Sequence, residues 1–457
     1  MDSISAFVQI RHLCGLTRTP ESFIIDRLDE VLEEHDEFIF QMLDEGIMYT
    51  DVMYLKNAEG QNLLHLAAER RSVRFCQRLV ELDSGIEAAR TRTPWPDGKY
   101  PFHVAVMTRN IETAMYLHQV FPPAQHYPCG ESYYAIHCCM FHNSEMLTKL
   151  LIAHDRGEIE IPEDTGGKLP LHYAVLRSTV TVTEIVYNAF PMGIYSKCVM
   201  NEADLFDPPF PSRILRLTPP ELADYWRDEN KSTFFRRQLE LIQLAKEQTK
   251  PDSNGELPLH RAIRDPQVPE GTIKLMAQEN PASITAADNN GLTPLSYVLQ
   301  RHSDECISVQ PWAPTLLEHL VRTNTECLYD HDAEGRPLMH QLINRRDYET
   351  VVRLLQTSSI WSSACDALTL KDSSGETLLH YACRIQKLEV VRAILYISQH
   401  GVSTKDKDGM IPIERLLYDH GWDRDSDLYF QVVYELLRYH PMGLINQDLV
   451  DFLSIRR

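Results

Sequence analysis

Along this chain the motif Pro-Leu-His-x-Ala, or a worn copy of it, keeps returning. Its cleanest forms are Leu169-Pro170-Leu171-His172-Tyr173-Ala174 and Leu257-Pro258-Leu259-His260-Arg261-Ala262. Looser copies read Asn62-Leu63-Leu64-His65-Leu66-Ala67, Tyr100-Pro101-Phe102-His103-Val104-Ala105 and Thr377-Leu378-Leu379-His380-Tyr381-Ala382. With the histidine as a ruler, marks fall at His65, His103, His137, His172, His260, His340 and His380. Ser296 and Glu414 hold the same place in two degenerate copies. Neighbouring marks lie 34 to 44 residues apart, except for an interval of 88 between His172 and His260. Such a period signals one supersecondary unit stacked on copies of itself, because a lone unit cannot bury its apolar face.

Each part of the unit has a physical reason. A glycine stands five residues before the mark in eight copies, from Gly60 and Gly98 through Gly167, Gly255, Gly291, Gly335 and Gly375 to Gly409; Ser132 replaces it in the ninth. Turns such as Asp288-Asn289-Asn290-Gly291 and Asp406-Lys407-Asp408-Gly409 put it where φ is positive, which glycine alone enters without steric cost. Proline then opens a helix, where its missing N–H has no partner to lose. The leucine and alanine of the motif pack inward. A second helix follows, with apolar residues at 3.6 spacing over 388–395.

On these residues the chain resembles the ankyrin repeat family, whose unit is a β-turn and two antiparallel helices, the first opening on Thr-Pro-Leu-His-x-Ala. The resemblance covers roughly residues 56–440. It implies an all-α solenoid of about ten helix pairs with short β-turn or hairpin loops. Two departures stand out. The Gly-His that usually ends the first helix is mostly missing. The second helix runs into proline at Phe121-Pro122, Phe190-Pro191, Asn280-Pro281 and His440-Pro441, where the family favours glycine; proline stops a helix equally well.

The long interval has room for two units. Within it Thr218-Pro219-Pro220-Glu221-Leu222-Ala223 mimics the motif with Glu221 at the mark, and residues 234–245 carry a helical pattern. This reads as a tenth, degenerate repeat after an irregular loop holding Asp207-Pro208-Pro209-Phe210-Pro211. Apolar stripes over residues 20–45 suggest an N-terminal cap, since terminal units of a solenoid need a polar outer face. The expected organisation is a helical cap over 1–50, four repeats over 51–195, the loop and degenerate repeat over 196–250, five repeats over 251–440, and a C-terminal cap over 441–457.

Composition narrows the function classes. A formal charge of −20 repels the phosphate backbone, so no nucleic-acid partner is expected. The ten cysteines are scattered without a CxxC pair, which suits a reducing compartment, cytoplasmic or nuclear. The N-terminus lacks a basic segment followed by a long apolar one, and no apolar run nears the ~20 residues that span a bilayer. A soluble, unprocessed protein without a membrane partner is expected.

The chemistry-bearing residues point away from catalysis. Seven ruler histidines at one per repeat are spread along a stack instead of converging; in the ankyrin family this imidazole ties neighbouring turns together. Cys129, Cys138, Cys139 and His142 form the one cluster of soft ligands. Only Cys138 and His142 share a helix face, and zinc needs four converging ligands. Gly166-Gly167-Lys168-Leu169 lacks the remainder of a phosphate loop, and no HExxH, GxSxG or kinase set occurs. Carboxylates cluster in turns such as Asp330-His331-Asp332-Ala333-Glu334, where a solvated turn is the expectation. No catalytic residue, metal or cofactor is expected.

What the fold does not require is the side chain at x and those ending the first helix. At x stand Leu66, Val104, Cys138, Tyr173, Arg261, Tyr297, Gln341 and Tyr381; four or five positions past the mark arginine recurs as Arg70, Arg177, Arg264, Arg301, Arg345 and Arg384. Tyrosine suits a contact surface, and it equally suits packing between repeats. The arginines either complement helix C-termini or line a groove for an acidic or C-terminal peptide. In the family these positions face a concave groove. The expected function is a non-enzymatic protein–protein interaction module, an adaptor or scaffold, with Tyr173, Arg177, Arg261, Arg264, Tyr297, Arg301, Gln341, Arg345, Tyr381 and Arg384 as candidate contacts. The alternatives are a regulatory subunit masking an enzyme or transcription factor, and a nucleic-acid-binding solenoid. A monomer is expected.

Overall fold

A computed structural model describes residues 60–439, apart from 70–72, 82–84, 95–96, 131–132, 156, 163–165, 201–214, 305–312, 333, 357–360, 386 and 419–426. The expected caps, the Asp207–Pro211 stretch and Arg70 lie outside the described residues. The chain divides into two compact units, Met1–Arg237 and Gln238–Arg457.

The fold is all-α and follows the motif. In the first unit the pairs are Leu63–Glu69 with Val73–Glu81, Pro101–Met107 with Ile111–Val120, Ala135–Cys139 with Glu145–Ala153, and Pro170–Arg177 with Val180–Ala189. Pro219–Tyr225 is followed by Glu229–Glu247. In the second unit they are Pro258–Arg264 with Glu270–Glu279, Pro294–Asp304 with Ala313–Thr323, Leu338–Asn344 with Tyr348–Gln356, Leu378–Arg384 with Leu388–Ile397, and Pro412–Tyr418 with Asp427–Tyr439. Proline takes the first helical position at 101, 170, 219, 258, 294 and 412. After the second helix, Pro122, Pro191 and Pro281 each open a short 3-10 turn instead of a glycine cap.

The interior repeats as the sequence does. Leu64, Leu171, Leu259 and Leu379 are all at most 1% exposed, and Ala67, Ala105, Ala174 and Ala382 are fully buried. Alanine at this position lets helices approach closely, and each buried leucine contributes roughly 1.5–3 kcal/mol.

The ruler histidine joins one repeat to the next. Its Nδ1 accepts the backbone N–H three residues earlier, at Tyr100, Leu169, Leu257 and Thr377, 3.0–3.1 Å away. With Nδ1 accepting, Nε2 carries the hydrogen and donates to a carbonyl in the next repeat: His65 to Lys99, His172 to Ser196, His260 to Ala286, His380 to Met410. Glutamate reproduces half of this device. Glu221 and Glu414 accept the N–H of Thr218 and Ile411 at 2.8 and 3.0 Å. At His340 the residue three earlier is Pro337, which has no N–H, and Nδ1 is left without a donor.

The eight turn glycines all have φ between 53° and 81°. At Gly255 and Gly375 a second constraint appears, because an added Cβ would lie 2.6 Å from the backbone N of Asn289 and 2.9 Å from that of Lys407, in the next turn. Those contacts are part of a backbone link between turns: Asn289 donates to the Asn254 carbonyl and Lys407 to that of Ser374.

Besides isolated bridges at the turns, one two-stranded sheet stands among the described residues. Strand β1 (Cys198–Met200) pairs antiparallel with β2 (Leu215–Leu217), Cys198 opposite Leu217. The N–H of Val199 donates to Gly166 at 2.7 Å, so the ribbon stands beside the Gly167 turn. Two three-residue strands, the second with Arg216 at its centre, give too weak a pattern to be recognised in the sequence.

Candidate protein-binding face

The side chains at x and at the ends of the first helices are organised from the turns. In the second unit every turn carries an aspartate eight residues before the mark: Asp252, Asp288, Asp332, Asp372 and Asp406. Each Oδ1 accepts two backbone N–H groups of its own turn, as Asp372 does from Ser374 and Glu376 at 2.9 Å. Asp252, Asp288, Asp332 and Asp406 repeat the pattern at 2.8–3.1 Å. This corrects the expectation of solvated turn carboxylates at Asp332, which is a structural acceptor.

The remaining oxygen of this aspartate reaches the x position. Tyr297 donates to Asp288 at 2.6 Å and Tyr381 to Asp372 at 2.8 Å. Burial opposes ionisation of Asp288, but the Tyr297 hydroxyl and the N–H groups of Leu292 and Asn290 outweigh it and hold the carboxyl at about 2. Burial, reinforced by Asp372, pushes the Tyr381 phenol up to about 12. Both tyrosines also lie under an arginine, with Arg264 5.3 Å above Tyr297 and Arg384 4.4 Å above Tyr381.

Arg261, Arg264 and Arg384 are anchored to the same turns. Arg264 pairs with Glu256 at 2.7 Å, Arg384 with Glu376 at 3.2 Å and Arg261 with Asp252 at 3.6 Å. Arg415 adds pairs to Glu376 and Asp408, each at 3.1 Å. Arg345 donates to the Leu299 carbonyl, and Gln341 to that of Arg336 at 2.9 Å. Arg301 lies on the helix Pro294–Asp304, with its side chain outside the described residues. The structure therefore joins Arg264 to Tyr297 and Arg384 to Tyr381, and holds Arg261, Gln341 and Arg345 on separate backbone or carboxylate partners.

The first unit is built differently. Tyr173 donates to the Tyr133 hydroxyl at 3.2 Å and packs on Phe141, which also lies under Arg177. Arg109 donates to His142 Nδ1 at 3.1 Å and toward the Phe141 carbonyl. Large apolar side chains stay open at the ends of these first helices: Met107 is 43% exposed, Phe141 38% and Trp226 38%. Sequence reasoning missed them, although they sit four or five positions past the mark, the offset that selects the arginines.

Cys139 is buried with its Sγ 3.4 Å from Thr148 Oγ1, and Cys138 faces Cys129. Among the described residues no three His, Cys, Asp or Glu side chains are grouped to hold a metal ion. Burial pushes His103 down to about 3 and His172 and His340 to about 4, which favours the neutral imidazole at each; His172 and His340 donate to the Ser196 and Glu376 carbonyls. Among the described residues no helix is long and apolar enough to cross a membrane.

The family model of the ankyrin repeat matches residues 374–408, the turn at Gly375 through the turn at Gly409. No curated protein matches the chain. Among solved structures it is similar to an ankyrin repeat protein from Leishmania major, at 15% identity over 82% of this chain and 95% of that one, with a TM-score of 0.29. It is also similar to the ankyrin repeat domain of Bcl-3, a member of the IkappaB protein family, at 19% identity over 60% of this chain and 99% of that one, with a TM-score of 0.31. Ankyrin repeats are protein–protein interaction modules. The matched unit, its recurrence at constant phase and the histidine links between neighbours carry the assignment: the chain is an ankyrin-repeat protein.

Proposed function

We propose that this chain is a non-enzymatic adaptor that binds a partner protein through side chains at the ends of its first helices. The observation that supports it most is the exposure of Met107, Phe141 and Trp226, four or five positions past the mark in the repeats of His103, His137 and Glu221. Nothing in the repeat requires these side chains to be apolar, and burying them against a partner is favourable at roughly 25 cal/mol per Å². Arg109 and Arg177 beside them, and Arg264, Arg301, Arg345 and Arg384 in the second unit, suit an acidic segment of that partner. The protein acts as a monomer in the cytoplasm, and binds neither nucleic acid nor membrane.

The test is capture from a native lysate, identified by mass spectrometry, with three proteins: the unchanged chain, Phe141→Ala, and the charge-reversed pair Arg264→Glu with Arg301→Glu. Each variant is first checked by circular dichroism for an unchanged helical spectrum. Loss of the same captured protein from both variants supports the proposal. Undiminished capture by both folded variants refutes it.

A further inference from the structure

In the repeat marked by His137, the place of the turn aspartate is taken by Cys129 and the place of the x tyrosine by Cys138. The fold brings these two positions together wherever it is regular, as Asp288 with Tyr297 and Asp372 with Tyr381. Here it brings two thiols together, with Sγ atoms 3.7 Å apart. We propose that Cys129 and Cys138 are a redox-modification site, which hydrogen peroxide converts to an intramolecular disulfide and a dithiol reductant restores.

The repeat geometry, and not the cysteines alone, sets this pairing. The N–H of Cys129 donates to the Tyr133 carbonyl at 2.6 Å, closing the turn so that residue 129 faces the first turn of the helix Ala135–Cys139. A disulfide needs its sulfurs at about 2.05 Å, so they must close by roughly 1.7 Å, within reach of side-chain rotation. The thiols also differ in character. A hydrogen bond from the Cys138 thiol, aided by the Lys99 and Arg92 cations, holds Cys129 below the ordinary thiol range although burial opposes it. Burial instead pushes Cys139 up to about 11 and Cys76 to about 12.

The chemistry balances with one peroxide per bridge. The Cys129 thiolate attacks a peroxide oxygen, the O–O bond breaks, and hydroxide leaves a sulfenic acid on Cys129. Cys138, giving up its proton, attacks that sulfur; the S–S bond forms, the S–O bond breaks, and hydroxide leaves again. The two released protons neutralise the two hydroxides. In sum, two thiols are oxidised and one peroxide is reduced to two waters. Cys129 is buried and Cys138 only partly exposed, so peroxide has to approach the attacking sulfur past Cys138, whose Sγ lies 3.7 Å away.

The test uses the full chain. It is exposed to hydrogen peroxide, its free thiols are blocked with N-ethylmaleimide, and it is digested with chymotrypsin without reduction. Cleavage after Tyr133 or Tyr134 leaves two fragments that only the bridge joins. The expected result is a bridged pair lacking both maleimide adducts, with both adducts recovered when dithiothreitol precedes blocking. Full labelling of both cysteines after peroxide overturns the proposal, as do bridges only between chains. In Cys138→Ser, dimedone is expected to trap a sulfenic acid on Cys129; a folded variant without that adduct removes Cys129 as the attacking thiol. Should the variant not fold, the bridge in the unchanged chain still decides.

Discussion

In the repeat marked by His380, Asp372 gathers two backbone N–H groups and the Tyr381 hydroxyl, and Glu376 of the same turn holds Arg384 and Arg415. In the repeat marked by His137, Cys129 stands at the equivalent position. It meets one backbone carbonyl and another thiol. The helices after both turns are alike and both histidines are buried. What differs is the polar wiring of the turn, and the exposed side chains change with it. In the repeats of Asp252 and Asp372, Arg264 and Arg384 at the helix ends are pinned to Glu256 and Glu376; in the repeats of His103 and His137, Met107 and Phe141 are left open. One backbone unit thus supports a self-satisfied polar surface or an adhesive apolar one.

The largest effect expected from this contrast is on stability. Asp372→Ala removes the acceptor of two N–H groups and a buried hydroxyl, and should cost about 3 kcal/mol in chemical denaturation. Cys129→Ala at the matching position should cost about 1 kcal/mol, since it strands no strong donor. Equal losses would remove the distinction between the turns.

Acid should separate two contributions. Buried histidines have folded pKa values of about 3 to 4 at His103, His172 and His340, below the ordinary 6.5. The unfolded chain binds their protons first, so the stability they contribute is complete above pH 6.5 and lost as pH falls toward 4. Asp288, held at about 2, contributes stability that is complete above about 4 and lost as pH falls toward 2. Thermal melts at stepped pH should therefore show Tm falling from pH 6.5, with a further fall below pH 4 that Asp288→Asn reduces.

A smaller effect compares two glycines. Gly375→Ala meets both a φ of 75° and the backbone of Lys407, and should cost about 2 kcal/mol. Gly409, with a φ of 81°, has nothing within 4 Å of its added Cβ, and Gly409→Ala should cost about 1 kcal/mol. The difference in denaturation midpoint measures the turn-to-turn approach. Smallest of all, Phe141→Ala should change stability by only about 0.5 kcal/mol while weakening partner capture.

Much of this was legible in the residues. The motif marks the first helices because proline, leucine, histidine and alanine each answer a local demand, and those demands recur with the period. Even the worn marks were readable, since Glu221 and Glu414 accept the same N–H that histidine does. The turn aspartates were visible as residues but not as a system. Each gathers N–H groups of its own turn, and at Asp288 and Asp372 a tyrosine nine positions later folds back over the turn, which periodicity does not announce. The pairing of Arg384 and Arg415 on one glutamate was hidden for a related reason, because it joins residues of neighbouring repeats.

Native-state hydrogen exchange tests the turn wiring most directly. The amides of Glu256, Leu292, Arg336, Glu376 and Met410 each donate to a turn aspartate at 2.8–2.9 Å. All five should exchange slowly, and Asp372→Ala should release Glu376 while leaving Leu292 protected. Exchange at the rate of an unstructured peptide at all five positions would contradict it.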